Sequence, residues 1–220
     1  MKIISGSELK DRQRKERDGF PESVGLRAHR AISWVLRAEQ EKLDADAAFI
    51  FYWIAFNAAY ADDRSVVGPE GERASYEAYF AHLINLDADR RIYDAIWERF
   101  SAAIRLFIDN KYVFQPFWSY TNGVIGYEDW EARFATAKKR FLAALAIQDT
   151  HTILVMLFTR LYVLRNQLVH GGATWNSKIN RRQVEDGRAI LAFLLPIFID
   201  LMMAHSKEDW GAPYYPVVSE

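Results

Sequence analysis

The chain has 220 residues, half of them hydrophobic, which suits one domain with a substantial core. Its 28 Lys and Arg residues balance 29 Asp and Glu residues, which excludes a binder that is basic overall, so any anion site must be local. Cysteine is absent, which excludes disulfides, thiol catalysis and thiolate metal ligands and fits a cytoplasmic location. The five histidines are scattered without a ligand pair, so we expect neither a metal site nor a cofactor.

The chain begins with a charged segment over residues 1–20, which we predict to be a solvated, frayed leader without the apolar core of a signal peptide. A single helical domain is predicted over 21–206, with a loop-rich, insertion-like region at 62–126 and a tail at 207–220. Apolar runs at 47–61 and 189–204 are shorter than a membrane span, which predicts core helices and no membrane contact. Hydrophobic spacing near 3.6 residues predicts about seven helices, at 21–43, 44–60 (with Asp44 as its cap), 74–86, 89–109, 127–146, 150–170 and 180–205. The predicted fold class is therefore an all-α bundle.

The helix at 150–170 is apolar on nearly every face, which is typical of a core or interface helix, yet it ends in Arg165-Asn166-Gln167-Leu168-Val169-His170. Tyr162, Asn166 and His170 follow one another at intervals of four residues and share a helix face, so Asn166 is placed to hydrogen-bond His170. Arg165 lies about 140° around the axis from His170. Either a loosened last turn at Gly171 or a second copy of the helix would bring Arg and His together, and we favour the second copy, which predicts a homodimer.

The charge pattern around this helix predicts an anionic ligand. Residues 150–184 contain no Asp or Glu, whereas five residues in this window are cationic: Arg160, Arg165, Lys178, Arg181 and Arg182. We predict that Tyr162, Lys178, Arg181 and Arg182 line the substrate site. The alternative is structural, with Arg165 paired to a distant carboxylate and His170 merely ending the helix.

An aromatic cluster precedes this helix in the sequence, formed by Tyr112, Phe114, Phe117, Trp118 and Tyr120. Such side chains stack on unpaired bases, and they also dominate packed cores and dimer interfaces. From the sequence we favour packing.

Arg165-Asn166-Gln167-Leu168-Val169-His170 resembles the Arg-Xaa4–6-His motif of the HEPN superfamily (higher eukaryotes and prokaryotes nucleotide-binding). The following residues 171–175 and the long last helix resemble bacterial members of that superfamily, and the resemblance covers about residues 150–205. It implies an all-α domain that dimerises and cleaves RNA without a metal. The resemblance implies that His170 is the general acid or base and that Arg165 holds the scissile phosphate. It also implies that Asn166 orients either His170 or the phosphate.

The resemblance also implies a biological setting in toxin–antitoxin systems or phage defence, with an antitoxin of the nucleotidyltransferase type as a candidate partner. We therefore expect a metal-independent endoribonuclease. One alternative is a non-catalytic HEPN module that binds a nucleotide, RNA or a partner protein through the same basic groove. The other is a helical interaction protein in which Arg165 and His170 are structural.

Overall fold

Every regular element in the described part of the chain is helical, which confirms the predicted all-α class. The computed structural model describes residues 3–63 and 69–217, so parts of the predicted leader, loop-rich region and tail (1–2, 64–68 and 218–220) lie outside the described residues. The α-helices are α1 Gly6–Glu16, α2 Glu22–Gln40, α3 Ala45–Tyr60, α4 Pro69–Leu86, α5 Arg91–Asp94, α6 Ser101–Asp109, α7 Gln115–Thr121, α8 Trp130–Ala146, α9 Thr150–Val169 and α10 Arg181–Ala204. Short 3-10 turns cover Arg17–Gly19 and Lys111–Val113.

The described residues contain ten α-helices rather than about seven, for three local reasons. A helix, α1, lies within the predicted leader, and a short helix, α7, lies within the aromatic region. The third reason is that the predicted helix at 89–109 is divided by a π-helical turn over Ala95–Arg99, where the Phe100 N–H donates to the Ala95 carbonyl at 3.0 Å. A π-turn inserts one residue into the helical register, which hydrophobic spacing does not reveal.

The chain forms two compact units. The first comprises Met1–Ile92 and Val184–Glu220, and the second comprises Tyr93–Gln183. The single domain predicted over 21–206 stays a prediction.

In the first unit, α2 and α3 pack along each other and α1 packs on α2. Asp44 caps α3 as predicted, with its carboxylate accepting from the Ala47 N–H at 3.0 Å. The core of this unit is aromatic: Phe56 and Phe80 stack with ring centroids 5.8 Å apart, and both are fully buried. Burying such large rings provides the principal stabilisation of a helical core.

Helix α1 differs from the solvated leader that the charged sequence predicts. Ser5 and Glu8 form a capping box, in which the Ser5 hydroxyl accepts from the Glu8 N–H at 3.2 Å. Leu9 is buried, and Arg12 pairs with Asp200 of α10. The Asp200 carboxylate also accepts from Arg91 Nη1 at 2.7 Å. These pairs explain how an acid is accommodated in the apolar sequence of α10.

In the second unit, α9 packs against α6, α8 and the turn at Lys111–Val113. At its N-terminal end the Asp149 carboxylate caps the helix by accepting from the Thr152 N–H at 2.9 Å. Trp97 Nε1 donates to the Thr150 hydroxyl at 2.9 Å, which fastens the π-turn to the same end of α9.

Two helices, α9 and α10, are long and apolar enough to cross a membrane by length and composition. Half of the relevant window of α9 and 72% of that of α10 are buried inside the structure. Core helices of soluble proteins meet the same criterion, so these helices assign no cellular location. The cytoplasmic location stays a prediction.

Candidate functional site

Helix α9 is buried over most of its length and reaches the surface in its last two turns. Its last buried residue is Leu164, and the following residues, Arg165 to Leu168, are partly exposed. Val169 and His170 are exposed. The polar residues of the motif therefore begin where the burial of α9 ends, which avoids the cost of burying them.

Arg165, Asn166 and Tyr162 form one cluster on this part of the helix. Arg165 Nη1 donates to Asn166 Oδ1 at 2.8 Å, and the Arg165 guanidinium carbon lies 5.8 Å from the centroid of the Tyr162 ring. The side-chain oxygen of Asn166 thus accepts from Arg165, whereas the spacing along the helix predicts a hydrogen bond between the Asn166 and His170 side chains. The pair holds the guanidinium fork at the surface, where its remaining N–H groups match the geometry of phosphate oxygens.

His170 is the residue at which α9 ends. Its N–H donates to the Asn166 carbonyl at 3.0 Å, and the chain then turns through Gly171, whose φ is 70°. The Gly172 N–H closes the turn onto the Gln167 carbonyl at 2.7 Å. Together with the bond from the Gly171 N–H to the Leu168 carbonyl at 3.4 Å, this bond forms a Schellman motif, which requires a left-handed residue at the position of Gly171. Within residues 3–63 and 69–217, the His170 imidazole has no hydrogen-bond or ion-pair partner, and the residue is exposed.

The loop after α9 carries the remaining predicted cations. Lys178 and Arg182 are exposed, and Arg181, the first residue of α10, is partly exposed. The loop is attached to α9 by Asn180, whose Nδ2 donates to Gln167 Oε1 at 3.1 Å. Asn180 has a φ of 62°, a left-handed conformation that asparagine tolerates better than most residues do.

Arg160 is a core residue, although the sequence places it among the cations expected to attract an anionic ligand. Only 3% of the residue is exposed, and its guanidinium carbon lies 4.3 Å from the Phe114 ring centroid and 5.5 Å from that of Phe134. Its terminal nitrogens donate to the carbonyls of Val113 and Ile108 at 3.5 and 3.4 Å. Burial lowers the pKa of Arg160 to about 10. The surface cations of the acid-free window are therefore Arg165, Lys178, Arg181 and Arg182.

Gln167 is a residue of the site that sequence reasoning treated only as a spacer between Arg165 and His170. Its Nε2 donates to the Tyr112 carbonyl, while its Oε1 accepts from Asn180. Gln167 thus connects the motif helix to the aromatic region on one side and to the basic loop on the other. A polar residue between two motif positions was the available signal, but its partners are far away in the sequence.

A second feature is a cavity of about 460 Å³ inside the first unit. None of the predicted site residues lines it; its walls include Arg27, Tyr60, Tyr79, His82 and Trp210. Burial raises the pKa of the Tyr79 phenol well above its usual range, so this side chain stays uncharged.

Across the described ranges, no group of three or more His, Asp or Glu side chains is placed to hold a metal ion. No protein-family model matches the chain, and no curated protein or solved structure matches it either. The resemblance to the HEPN superfamily therefore rests on the motif and its surroundings in the sequence.

Proposed function

We propose that this chain is a metal-independent endoribonuclease of HEPN type. The observation that carries the proposal is the pairing of Arg165 with Asn166 on the last turns of α9, one turn before the exposed residue His170. A guanidinium and an imidazole on neighbouring turns of one helix are groups that can catalyse phosphodiester cleavage.

In the proposed reaction the ribose 2′-oxygen attacks phosphorus and the bond from phosphorus to the 5′-oxygen breaks. The products are a 2′,3′-cyclic phosphate and a free 5′-hydroxyl. His170 transfers one of the two protons, because imidazole gives and takes a proton near neutral pH. Arg165 neutralises the charge that develops on the phosphate oxygens, and Asn166 holds the Arg165 fork in place. RNA supplies its own nucleophile, so no Ser, Cys or metal is needed.

The surface charge around the motif supports an RNA substrate. The window from residue 150 to residue 184 contains no acid, and Lys178, Arg181 and Arg182 follow the motif directly. In the proposal these cations contact phosphates on either side of the cleaved bond, and such contacts position a strand without reading its sequence.

A homodimer is part of the proposal. Exposed apolar side chains flank His170 in the sequence: Val169 is 51% exposed, Trp175 is 74% exposed and Ile179 is 76% exposed. Covering them with a second copy would remove apolar surface from water and would supply a second His170 for the second proton transfer. A cytoplasmic role in a toxin–antitoxin or phage-defence system, with a nucleotidyltransferase-type antitoxin, follows from the resemblance alone.

The test compares cleavage and binding of a fluorescent single-stranded RNA by Arg165→Ala, His170→Ala and wild type. His170→Ala should lose roughly 100-fold or more in cleavage rate and keep its RNA affinity, because general acid–base catalysis contributes about that much. Arg165→Ala should lose both cleavage and affinity. The matched controls are His151→Ala, at the opposite end of α9, and Arg105→Ala, on the exposed face of α6. Cleavage by His170→Ala at the wild-type rate would refute the proposal.

A non-catalytic RNA- or nucleotide-binding module is the second candidate. The observation that favours it is that no described residue orients the His170 ring, whereas a general base is normally held by a partner. In that case Arg165→Ala would weaken binding, and no protein in the series would cut RNA.

A further inference from the structure

Five aromatic side chains beside the motif helix form a surface cluster that we call the aromatic shelf, consisting of Tyr112, Phe117, Trp118, Tyr120 and Trp130. Phe117 lies at its centre, with ring centroids 5.4 Å from Tyr112, 5.2 Å from Trp118 and 5.1 Å from Trp130, all edge to face. The Tyr120 ring lies 6.4 Å from that of Trp130. The shelf is therefore one continuous set of rings.

The rings of the shelf are exposed in a way that packing alone does not explain. Tyr112 is 46% exposed and Tyr120 is 49% exposed, and the other three rings are partly exposed. Phe114, from the same sequence cluster, faces inward onto Arg160 instead. Tyr112 and Tyr120 are thus the exposed rings of the cluster, and contiguous aromatic surface that faces water is typical of a binding site.

The charge beside the shelf is suited to a polyanion. Lys111 Nζ lies 5.3 Å from the ring centroids of both Tyr112 and Phe117 and 5.9 Å from that of Trp130. Residues 110–126 contain this one cation and no acid. Two of the neighbouring acids pair with cations, Asp129 with Arg133 at 2.7 Å and Asp109 with Lys138 at 2.8 Å. Glu128 and Glu131 are exposed beside Trp130, and Glu128 accepts from the Gly126 N–H at 3.0 Å.

The shelf is joined to the motif through Gln167. The Tyr112 carbonyl accepts from Gln167 Nε2 and, at 2.8 Å, from Trp118 Nε1, so one backbone oxygen fastens both the shelf and the helix. Gln167 follows Asn166 directly and precedes His170 by three residues, about 4.5 Å along the helix axis. Its other end holds Asn180 of the basic loop. Shelf, motif and basic loop thus meet at one residue.

We propose that the aromatic shelf binds the unpaired bases of single-stranded RNA. Bases stack on the rings of Tyr112 and Tyr120, Lys111 binds a flanking phosphate, and Gln167 is a positioning residue that keeps the shelf in register with Arg165 and His170. Stacking on a ring face needs a base that is not paired, so the substrate class is single-stranded RNA rather than duplex. The placement of the bound strand relative to the cut rests on the proposed ribonuclease function, whereas the binding itself does not.

The test measures affinity for a short fluorescein-labelled RNA of mixed sequence, free and annealed to its complement. His170→Ala serves as the parent so that no strand is cut. Adding Tyr112→Ala and Tyr120→Ala should weaken binding of the single strand by roughly 100-fold, since each of the two lost stacking contacts costs about tenfold. Binding of the duplex should be weaker in the parent and unaffected by the two substitutions. Tyr215→Ala, which removes another exposed tyrosine, should change neither affinity.

Further variants separate stacking, charge and positioning. Tyr112→Phe with Tyr120→Phe should restore binding, because the rings remain. Lys111→Ala should lower the salt dependence of binding by about one counterion, and Gln167→Ala should weaken binding without changing the salt dependence. Tyr120→Glu gives a second test at an exposed position, and it should weaken binding more than Tyr120→Ala does, because it also adds a negative charge beside the RNA.

The inference is overturned if the folded alanine double variant binds the single strand as tightly as the parent. It is also overturned if single-strand and duplex affinities fall equally, or if the double variant changes only the oligomeric state. The two proposals fail separately. Wild type that binds through the shelf but cuts no RNA refutes the ribonuclease, and wild type that cuts RNA with the same efficiency after both tyrosines are replaced refutes the shelf.

Discussion

Substitutions of Arg160 test whether this arginine stabilises the core or contributes to the surface that binds RNA. Its guanidinium is buried between the rings of Phe114 and Phe134 and has backbone carbonyls as its hydrogen-bond acceptors. If this assignment is right, Arg160→Ala destabilises the fold and Arg160→Met largely preserves it. Neither substitution should alter the salt dependence of RNA binding, because a buried cation contacts no phosphate.

The expected magnitudes follow from the opposing contributions. Truncating a large buried side chain costs roughly 2–5 kcal/mol, and losing a desolvated cation–ring contact costs about 2 kcal/mol more. Removing the buried charge also removes a desolvation penalty of several kcal/mol, which offsets part of this loss of stability. We therefore expect Arg160→Ala to lower the free energy of unfolding by about 3 kcal/mol. Arg160→Met fills similar volume without a charge, so its effect should stay within about 1.5 kcal/mol.

The pH dependence provides an independent check on Arg160. Its folded-state pKa is lowered to about 10 from the ordinary value of 12.5, so at lower pH the folded protein carries a charge that burial penalises. Above about pH 10 the folded state sheds that proton and the unfolded state keeps it, and wild type should gain stability relative to Arg160→Met.

Urea unfolding followed by far-UV circular dichroism measures both effects on Arg160. Equal destabilisation by Arg160→Met and Arg160→Ala would refute the reasoning, since the charge itself would then be essential. A fall of about one in the salt dependence of RNA binding by Arg160→Met would refute it too, because Arg160 would then contact phosphate.

Three further predictions concern the ends of α9 and the acid of α10. Asp149→Ala should destabilise by about 1 kcal/mol in urea unfolding, because it removes the cap of α9. Asp149→Asn should keep the cap, because the amide oxygen can accept the same hydrogen bond. In wild type, partial burial raises the pKa of Asp149, but the hydrogen bonds from Thr152 outweigh this effect and lower it. Wild type should therefore lose stability as the pH falls through the folded-state pKa of Asp149, whereas Asp149→Asn should not. Gly171→Ala should lower the stability measured by thermal unfolding by roughly 1–2 kcal/mol, because the φ of Gly171 is 70°, in the left-handed region that alanine disfavours. Asp200→Ala should lower the free energy of unfolding by about 2 kcal/mol in chemical unfolding, because it leaves Arg12 and Arg91 without their shared carboxylate. An unchanged unfolding midpoint would contradict that pairing.

The helical class and the position of several helices could be predicted from the sequence because hydrophobic spacing and capping residues are local signals. Asp44, for example, caps α3 where its residue type and position predict. Helix α1 was not predicted, because its charged residues outnumber its buried ones and leave little hydrophobic spacing. Ser5 and Glu8 do have the spacing of a capping box. The π-turn after α5 left no periodic signal at all.

Within the candidate site, the sequence did not predict the contacts that the structure shows. Arg165 and Asn166 are neighbours in the chain, and adjacent residues on a helix do not face each other, so only the length of the Arg side chain lets them meet. The hydrogen bonds of Arg160 and one of the two contacts of Gln167 are made with the segment at 108–113, which lies far away in the sequence. Such contacts are set by tertiary packing, which spacing along one helix does not encode.

The most direct test of the ribonuclease is the chemistry of the ends that it leaves on cellular RNA. Purified wild type and His170→Ala are incubated with the same RNA pool in EDTA, and the fragment termini are determined. Cleavage by wild type alone, with 2′,3′-cyclic phosphate and 5′-hydroxyl ends, is the predicted result, because the 2′-oxygen is the nucleophile and His170 transfers a proton. Equal cleavage by both proteins, or by neither, would contradict it.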